Sequence, residues 1–97
     1  MNTKENQNIK QKLQWSTYTM EEVSLHRNEE DGWFVYNGSI YNAVSHLKEV
    51  KQLKPSTYLA ILRVLGTDCT EEMNEIGHSE QAWKAIHLLK IGEIKPE

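Results

Sequence analysis

His78 is the residue of this sequence whose side chain most clearly suggests a chemical role. It lies in the loop Ile76-Gly77-His78-Ser79, directly after two short helical patterns. An imidazole can ligate a metal or transfer a proton near neutral pH, and a loop at the far end of a helical hairpin is a natural wall for a pocket. The chain shows no Ser-His-Asp order, phosphate-binding loop or paired-carboxylate signature. We therefore expect a binding site and no enzyme activity from the chain alone.

The two helical patterns ahead of His78 predict a helical hairpin. Apolar side chains recur at helical spacing at Leu59, Ile61, Leu62 and Leu65. Gly66 suits the left-handed conformation that ends a helix, and Asp68 with Glu71 is typical of a capping box that begins the next one. Because the connection is short, the two helices must fold back on each other. Beyond the loop, Ser79 is a candidate N-cap of a further helix.

The N-terminal half carries the signals of a β-hairpin. Two β-prone runs, 33–36 and 39–41, are separated by Asn37-Gly38, a dipeptide that favours a type I′ turn. Asn42 can then cap the helix that follows. The sequence therefore predicts two antiparallel strands followed directly by a helix.

The composition limits the class of protein. The 97 residues suffice for one small domain, with a formal charge of -3 and 26% charged residues. No Lys/Arg cluster follows a groove-like pattern, so we expect no nucleic-acid partner. No apolar run approaches the roughly 20 residues of a membrane helix, and the N-terminus lacks the apolar core of a signal peptide. We expect a soluble protein without membrane insertion.

Domain organisation and compartment follow from local composition. Residues 1–14 are polar and predict a flexible N-terminal arm, which leaves one domain over residues 15–97. The single cysteine, Cys69, excludes an internal disulfide and fits a reducing compartment, so we expect a cytoplasmic location. Cys69 itself is expected to be a small core residue.

The loop of His78 resembles one half of the haem site of the cytochrome b5 family. In that family a His-Pro-Gly-Gly loop and a Val-Gly-His-Ser loop cap two helical hairpins. Their histidines lie 24 residues apart and ligate the haem iron from opposite faces. Counting back 24 residues from His78 gives Lys54, followed by Pro55, Ser56 and Thr57. The proline is kept, whereas the first ligand histidine and both glycines are replaced.

The resemblance covers residues 18–94. A capping box of Thr19 with Glu22, which predicts a helix over 20–26, is similar to the family's opening segment. The resemblance implies an α+β, cytochrome b5-like fold, a small mixed β-sheet with two helical hairpins forming a pocket. Its expected strands are Tyr18, 33–36, 39–41 and 91–94. The residues expected to be buried are Trp33, Ile40, Leu47, Leu62, Ile91 and Ile94.

One insertion interrupts the match. Lys54 follows His46 by eight positions, where the family has four between the equivalent residues. The four extra residues amount to about one helical turn. We expect residues 47–53 to extend a helix or to form an ordered bulge at the pocket mouth, since Leu47, Val50 and Leu53 need burial.

The resemblance also implies a set of candidate cofactor-binding residues. They are His78, Lys54, His46, Phe34, Tyr36, Ile61, Met73 and Ile76, with His78 as the ligand of the haem iron if haem b binds. His78 is either that ligand or a relic held by packing. Lys54 is expected to be a solvated surface lysine, because an amine binds iron only when deprotonated.

Two further residues could replace the missing ligand. His46 and Met73 fall at positions that the family fills with aromatic pocket residues, and both are chemically able to ligate haem iron. Their alignment places them beside the macrocycle, so we interpret both as pocket fillers.

Two functions remain open at this stage. The family's acidic docking face is replaced at the first loop by an apolar rim, which suits a stable protein contact. We therefore expect a cytochrome b5-like adaptor with a degenerate haem site, monomeric on its own, that binds another protein through Val50, Leu53, Tyr58 and Leu59. The alternative is a b-type haem electron carrier that uses His78 and a non-standard second ligand.

Overall fold

A computed structural model describes residues 14–96, which form a mixed four-stranded sheet and five helices. Residues 1–13 and 97 lie outside the described part, so the expected N-terminal arm falls almost wholly outside it. The strands are β1 (Ser16–Tyr18), β2 (Trp33–Tyr36), β3 (Ser39–Asn42) and β4 (Lys90–Ile94). The helices are α1 (Met20–Val23), α2 (Val44–Leu53), α3 (Pro55–Val64), α4 (Thr70–Ile76) and α5 (Glu80–His87).

The sheet has the order β1-β4-β3-β2. β4 runs parallel to β1 and antiparallel to β3, and β3 is antiparallel to β2. Asn37 and Gly38 both have positive φ, of 48° and 77°, as a type I′ turn requires. The α+β class, the mixed sheet and the β-hairpin are thus confirmed.

Two helical hairpins stand on this sheet. The first hairpin is α2 with α3, and the second hairpin is α4 with α5. The hairpin expected of α3 with α4 is wrong, because the backbone of α3 runs close to that of α2 instead. α2 runs without a break through the four-residue insertion to Leu53, so the insertion lengthens a helix as expected. Leu47 and Val50 are buried, but Leu53 is 81% exposed. Leu47, Val50 and Leu53 follow one another at three-residue intervals. Each interval falls about 60° short of a full helical turn, so Leu53 has rotated away from the buried face on which Leu47 lies.

The core is divided by the sheet. On the helical side, the buried residues are Phe34, Tyr41, Ala43, Leu47, Leu65, Cys69 and Met73. On the other side, Val23, Val35 and Ile40 form a second cluster. The alternation of Phe34 with Val35 follows the two-residue period of a strand. Ile40 and Leu47 are buried, as expected. The other residues expected to be buried are only half-buried: Trp33, Leu62, Ile91 and Ile94.

The helix ends follow some local signals and depart from others. Thr19 and Glu22 form the expected capping box, but α1 ends at Val23 and not at residue 26, because the Leu25 and His26 amides donate to carbonyls only three residues back. Ser79 caps α5 by accepting from the Ala82 amide at 3.1 Å.

The capping box expected at Asp68 and Glu71 is wrong. The Asp68 carboxylate instead accepts from the Thr70 amide at 3.0 Å and from its hydroxyl at 2.6 Å. The N-cap of α4 is Cys69, whose amide donates to the Val35 carbonyl of the sheet.

Candidate haem site

Lys54 and His78 occupy corresponding places in the fold. Lys54 is the single residue between α2 and α3, and His78 lies in the turn between α4 and α5. The Lys54 amide donates to the Val50 carbonyl at 2.8 Å, and the Lys54 carbonyl accepts from the Tyr58 amide at 3.0 Å. Lys54 thus belongs to the hydrogen-bond ladders of both helices, and its side chain is exposed. Each hairpin therefore presents one nitrogen-bearing side chain at its turn.

The imidazole of His78 is held by packing. Gly77 ends α4 in the left-handed conformation, with φ of 71°, which directs the chain into the turn. The His78 ring lies 4.9 Å from the Trp83 ring, measured between centroids, and Trp83 lies 4.8 Å from Tyr36. Within residues 14–96, His78 Nδ1 is buried without a hydrogen-bond partner. The ring is thus fixed by aromatic neighbours.

Apolar side chains of both hairpins pack against one core cluster, and we call the region between the hairpins the inter-hairpin seam. Its floor is the buried Phe34, Leu65 and Met73. Its half-buried walls are Ile61 and Leu62 of α3 and Trp83 and Ile86 of α5.

Few backbone contacts join the helices across the seam. Among the described helices, α2 and α3 are the only pair whose backbones run close together over several residues, so α4 and α5 are also loosely joined. Neither α3 nor α5 contains a fully buried residue, although both have an apolar face. The seam is thus bounded by apolar surfaces that the protein only half covers. Such surfaces suit a flat apolar cofactor, because apolar burial is favourable.

The structure brings together only part of the predicted site. His78, Phe34, Tyr36, Ile61 and Met73 gather around the seam, and the Tyr36 hydroxyl donates to the Asn74 side chain at 2.7 Å.

Three predicted residues lie outside this apolar cluster. Ile76 is 67% exposed at the end of α4. His46 is 41% exposed, with Nδ1 3.9 Å from the Glu49 carboxylate on the same helix, so it does not fill the pocket as expected. Lys54 is exposed at its turn, as expected of a solvated lysine.

Trp83 is a site residue that the sequence prediction missed. It packs against both His78 and Tyr36 and forms part of the seam wall. Its place five residues after the histidine, on an amphipathic helix, is the signal that could have identified it. Leu65 was placed on a helix but not in the site, because its burial depends on packing against the sheet.

Cys69 does not add a reactive group to the site. Burial raises the pKa of its thiol to about 12, with the Glu72 carboxylate acting in the same direction. A thiol with so high a pKa stays protonated near neutral pH and is a poor nucleophile and metal ligand. The expectation of a small core residue is confirmed, since Cys69 is 1% exposed.

Other surfaces of the described chain offer little to compete with the seam. Two depressions of about 370 and 250 Å³ border α2, and His78 lines neither of them. Residues 14–96 hold no cluster of three or more His, Cys, Asp or Glu side chains suited to a metal ion. Of the helices α1–α5, none has the length and apolar character needed to cross a membrane.

Comparison with known proteins agrees with this architecture. Two solved structures have the same fold. The cytochrome b5 of Ostreococcus tauri virus 2 has a TM-score of 0.65 and 25% identity, covering 80% of this chain and 95% of that one. Cytochrome b558 of Ectothiorhodospira vacuolata, described as a prokaryotic homologue of cytochrome b5, has a TM-score of 0.68 and 24% identity, covering 81% and 98%.

Sequence relatives and a family model point the same way. Cytochrome b5 of Candida tropicalis is 38% identical over 78 residues, which are 80% of this chain and 57% of that protein. An NADH nitrate reductase of Volvox carteri is 42% identical over 77 residues, 79% of this chain but 8% of the enzyme. The chain thus spans little more than half of one relative and a small part of the other. The model of the cytochrome b5-like heme/steroid binding domain matches residues 19–95. This chain belongs to the cytochrome b5-like heme/steroid binding domain family.

Proposed function

We propose that this domain binds haem b in the inter-hairpin seam and carries electrons, with His78 and Lys54 as the two side chains that would hold the iron. The observation that carries the proposal is the matched placement of Lys54 and His78 at the turns of the two hairpins that border the apolar seam. Bound haem supplies a one-electron iron couple. Relatives named cytochrome b5 and NADH nitrate reductase support a carrier over an adaptor. The domain itself transfers electrons and performs no further chemistry.

His78 provides the better prepared ligand. Its Nδ1 is buried, so Nε2 is the nitrogen that can reach a cofactor. Trp83 restricts the ring from one side, and Gly77 fixes the path of the backbone into the turn. A ligand whose orientation is set by its neighbours loses little freedom on binding.

Lys54 provides an amine at the opposite turn. No described carboxylate forms an ion pair with it, whereas Lys51 on the preceding turn is paired with Glu29 at 3.3 Å. Lys54 is also the residue at the turn itself, which makes it the amine of the first hairpin best placed to bind iron.

A second candidate function is the adaptor expected from the apolar rim. Leu53 and Leu59 are 81% and 54% exposed, which supports a protein contact at the turn of the first hairpin. Val50 cannot take part as expected, because it is 6% exposed and packs inward. A partner contact there is compatible with electron transfer. The cytoplasmic location and the monomeric state stay predictions.

Reconstitution with haem b tests the carrier. We expect stoichiometric binding with a sharp low-spin reduced absorption spectrum. His78→Ala should abolish tight binding, and Lys54→Ala should leave haem bound through His78 with a high-spin spectrum. Lys48→Ala, which removes another exposed lysine of the first hairpin, is the matched control and should behave as wild type.

Two outcomes contradict the proposal in different ways. A folded protein that binds no haem would exclude the carrier and leave the adaptor, which Leu53→Asp with Leu59→Asp should then disable. A low-spin spectrum that Lys54→Ala leaves unchanged would keep the carrier but exclude Lys54 as its ligand.

A further inference from the structure

Glu29 is the point at which the first hairpin is tied to a distant part of the domain. Glu29 lies in the loop between α1 and β2. Its carboxylate accepts a hydrogen bond from the Tyr58 hydroxyl and two from the Lys51 ammonium, at 3.3 and 3.4 Å. The Lys51 nitrogen also lies 5.5 Å from the centre of the Tyr58 ring. Within residues 14–96, the side-chain hydrogen bonds that reach α2 or α3 from distant segments all end on Glu29.

The two residues held by Glu29 flank Lys54. Lys51 belongs to the last turn of α2 and Tyr58 to the first turn of α3. The Tyr58 amide donates to the Lys54 carbonyl. A contact that restrains Tyr58 therefore also restrains the backbone of Lys54.

The charges of the network reinforce its contacts. Tyr58 and Lys51 both lower the pKa of the Glu29 carboxyl, chiefly through their hydrogen bonds. Glu29 in turn raises the pKa of the Lys51 ammonium. Both shifts favour the ion pair between Lys51 and Glu29.

We propose that Glu29 is a positioning residue of this site. By accepting hydrogen bonds from Tyr58 and Lys51, it orients the turn from which Lys54 reaches the haem. The inference rests on the proposed function and adds a residue that lies far from both ligands in the sequence. The second hairpin has its own anchors, Tyr36 on Asn74 and the Asn37 amide on Thr70. The two ligands are thus positioned independently.

The first test is made without haem. Glu29→Gln and Tyr58→Phe should both increase amide hydrogen exchange at Lys54 and Tyr58. Tyr36→Phe, which removes the equivalent anchor of the second hairpin, should leave those two amides unchanged. Unchanged exchange in both first-hairpin variants would overturn the proposed anchoring whatever the protein does with haem.

The second test measures ligation in the haem-loaded protein. Outer partners of a metal ligand typically contribute about 10- to 100-fold to binding. We expect Glu29→Gln to let carbon monoxide displace the second axial ligand about tenfold more readily, with haem stoichiometry unchanged. The same change in a Lys54→Ala background should have no further effect. An equal effect in both backgrounds would exclude positioning of Lys54, whereas failure of wild type to bind haem would exclude the proposed function itself.

Discussion

Lysine and histidine differ in how they give up a proton, and this difference separates the two ligand positions. An imidazole is largely neutral near pH 7, whereas an ammonium must release a proton before it can bind iron. The ordered surroundings of His78, with Trp83 at 4.9 Å, contrast with the exposed side chain of Lys54. The exchange of the first family histidine for lysine therefore predicts a site whose ligation depends on pH.

The first prediction concerns that dependence. Because ligation by Lys54 releases a proton, the low-spin fraction of the haem-loaded protein should rise as the pH is raised from 6 to 9. Lys54→His should remain low-spin across this range and bind haem more tightly. Absorption spectra of the two proteins at each pH provide the measurement. A parallel pH profile in both would show that another group controls the spin state.

The second prediction concerns Cys69. Burial raises its thiol pKa from 9.0 to about 12 in the folded protein. The contribution of the neutral thiol to stability is therefore complete below about pH 9 and declines as the pH rises towards 12. Urea unfolding at pH 8 and pH 10 should show a larger loss of stability in wild type than in Cys69→Ala. Equal losses would mean that other groups dominate the alkaline response.

Helix signals succeed where they are local and fail where a distant contact decides. The side chains of Thr19 and Ser79 cap helices by accepting from backbone amides only three residues on, so the sequence alone predicts these caps. Asp68 does not cap α4, because the Cys69 amide is engaged by the Val35 carbonyl, 34 residues away. The network of Glu29 with Tyr58 is likewise unpredictable from a motif, because 29 residues separate its partners.

The residues of the candidate site show the same difference between local signals and distant contacts. His78 is part of a recognisable loop, and its turn is where the family resemblance places it. The displacement of His46 from the pocket depends on the orientation of α2, which places the ring beside Glu49. A helix longer than the family's can shift such positions while keeping the fold, since each residue adds about 100° of rotation.

The third prediction compares two residues of α2. Val50 is 6% exposed and Leu53 is 81% exposed. Val50→Ala should lower the free energy of unfolding by about 1 to 3 kcal/mol, through lost burial and the cavity left behind. Leu53→Ala should change it by less than about 0.5 kcal/mol, as is usual at the surface. Urea denaturation of both variants measures the free energy of unfolding. Equal losses of stability would show that Leu53 packs against the turn.

The whole molecule carries its charges unevenly across the seam. Exposed basic residues cluster on the first hairpin, at Lys48, Lys51, Lys54 and Arg63. Exposed acidic residues cluster on the second hairpin, at Glu71, Glu72, Glu75 and Glu80. The exposed residues of opposite charge are Glu49 on the first hairpin and Lys84 on the second hairpin. A redox partner that approaches the seam therefore meets opposite charges on its two edges, which favours one orientation of docking.

The last prediction tests this orientation. A basic c-type cytochrome should approach the reduced, haem-loaded domain from the side of the second hairpin. The double variant Glu72→Lys with Glu75→Lys should slow electron transfer about tenfold at low ionic strength, because steering by charge changes association rates by this order or more. The slope of the rate against ionic strength should fall with it. Stopped-flow mixing over a range of salt concentrations measures both.

The matched control reverses charge on the other edge. Lys48→Glu with Arg63→Glu should leave the rate unchanged or raise it, because these residues repel a basic partner in wild type. Neither residue lies in the seam, so the absorption spectrum should stay that of wild type. If both double variants slowed transfer equally, the partner would dock across the two hairpins together. The opposite charges of the edges would then guide it from both sides, and docking on the second hairpin alone would be excluded.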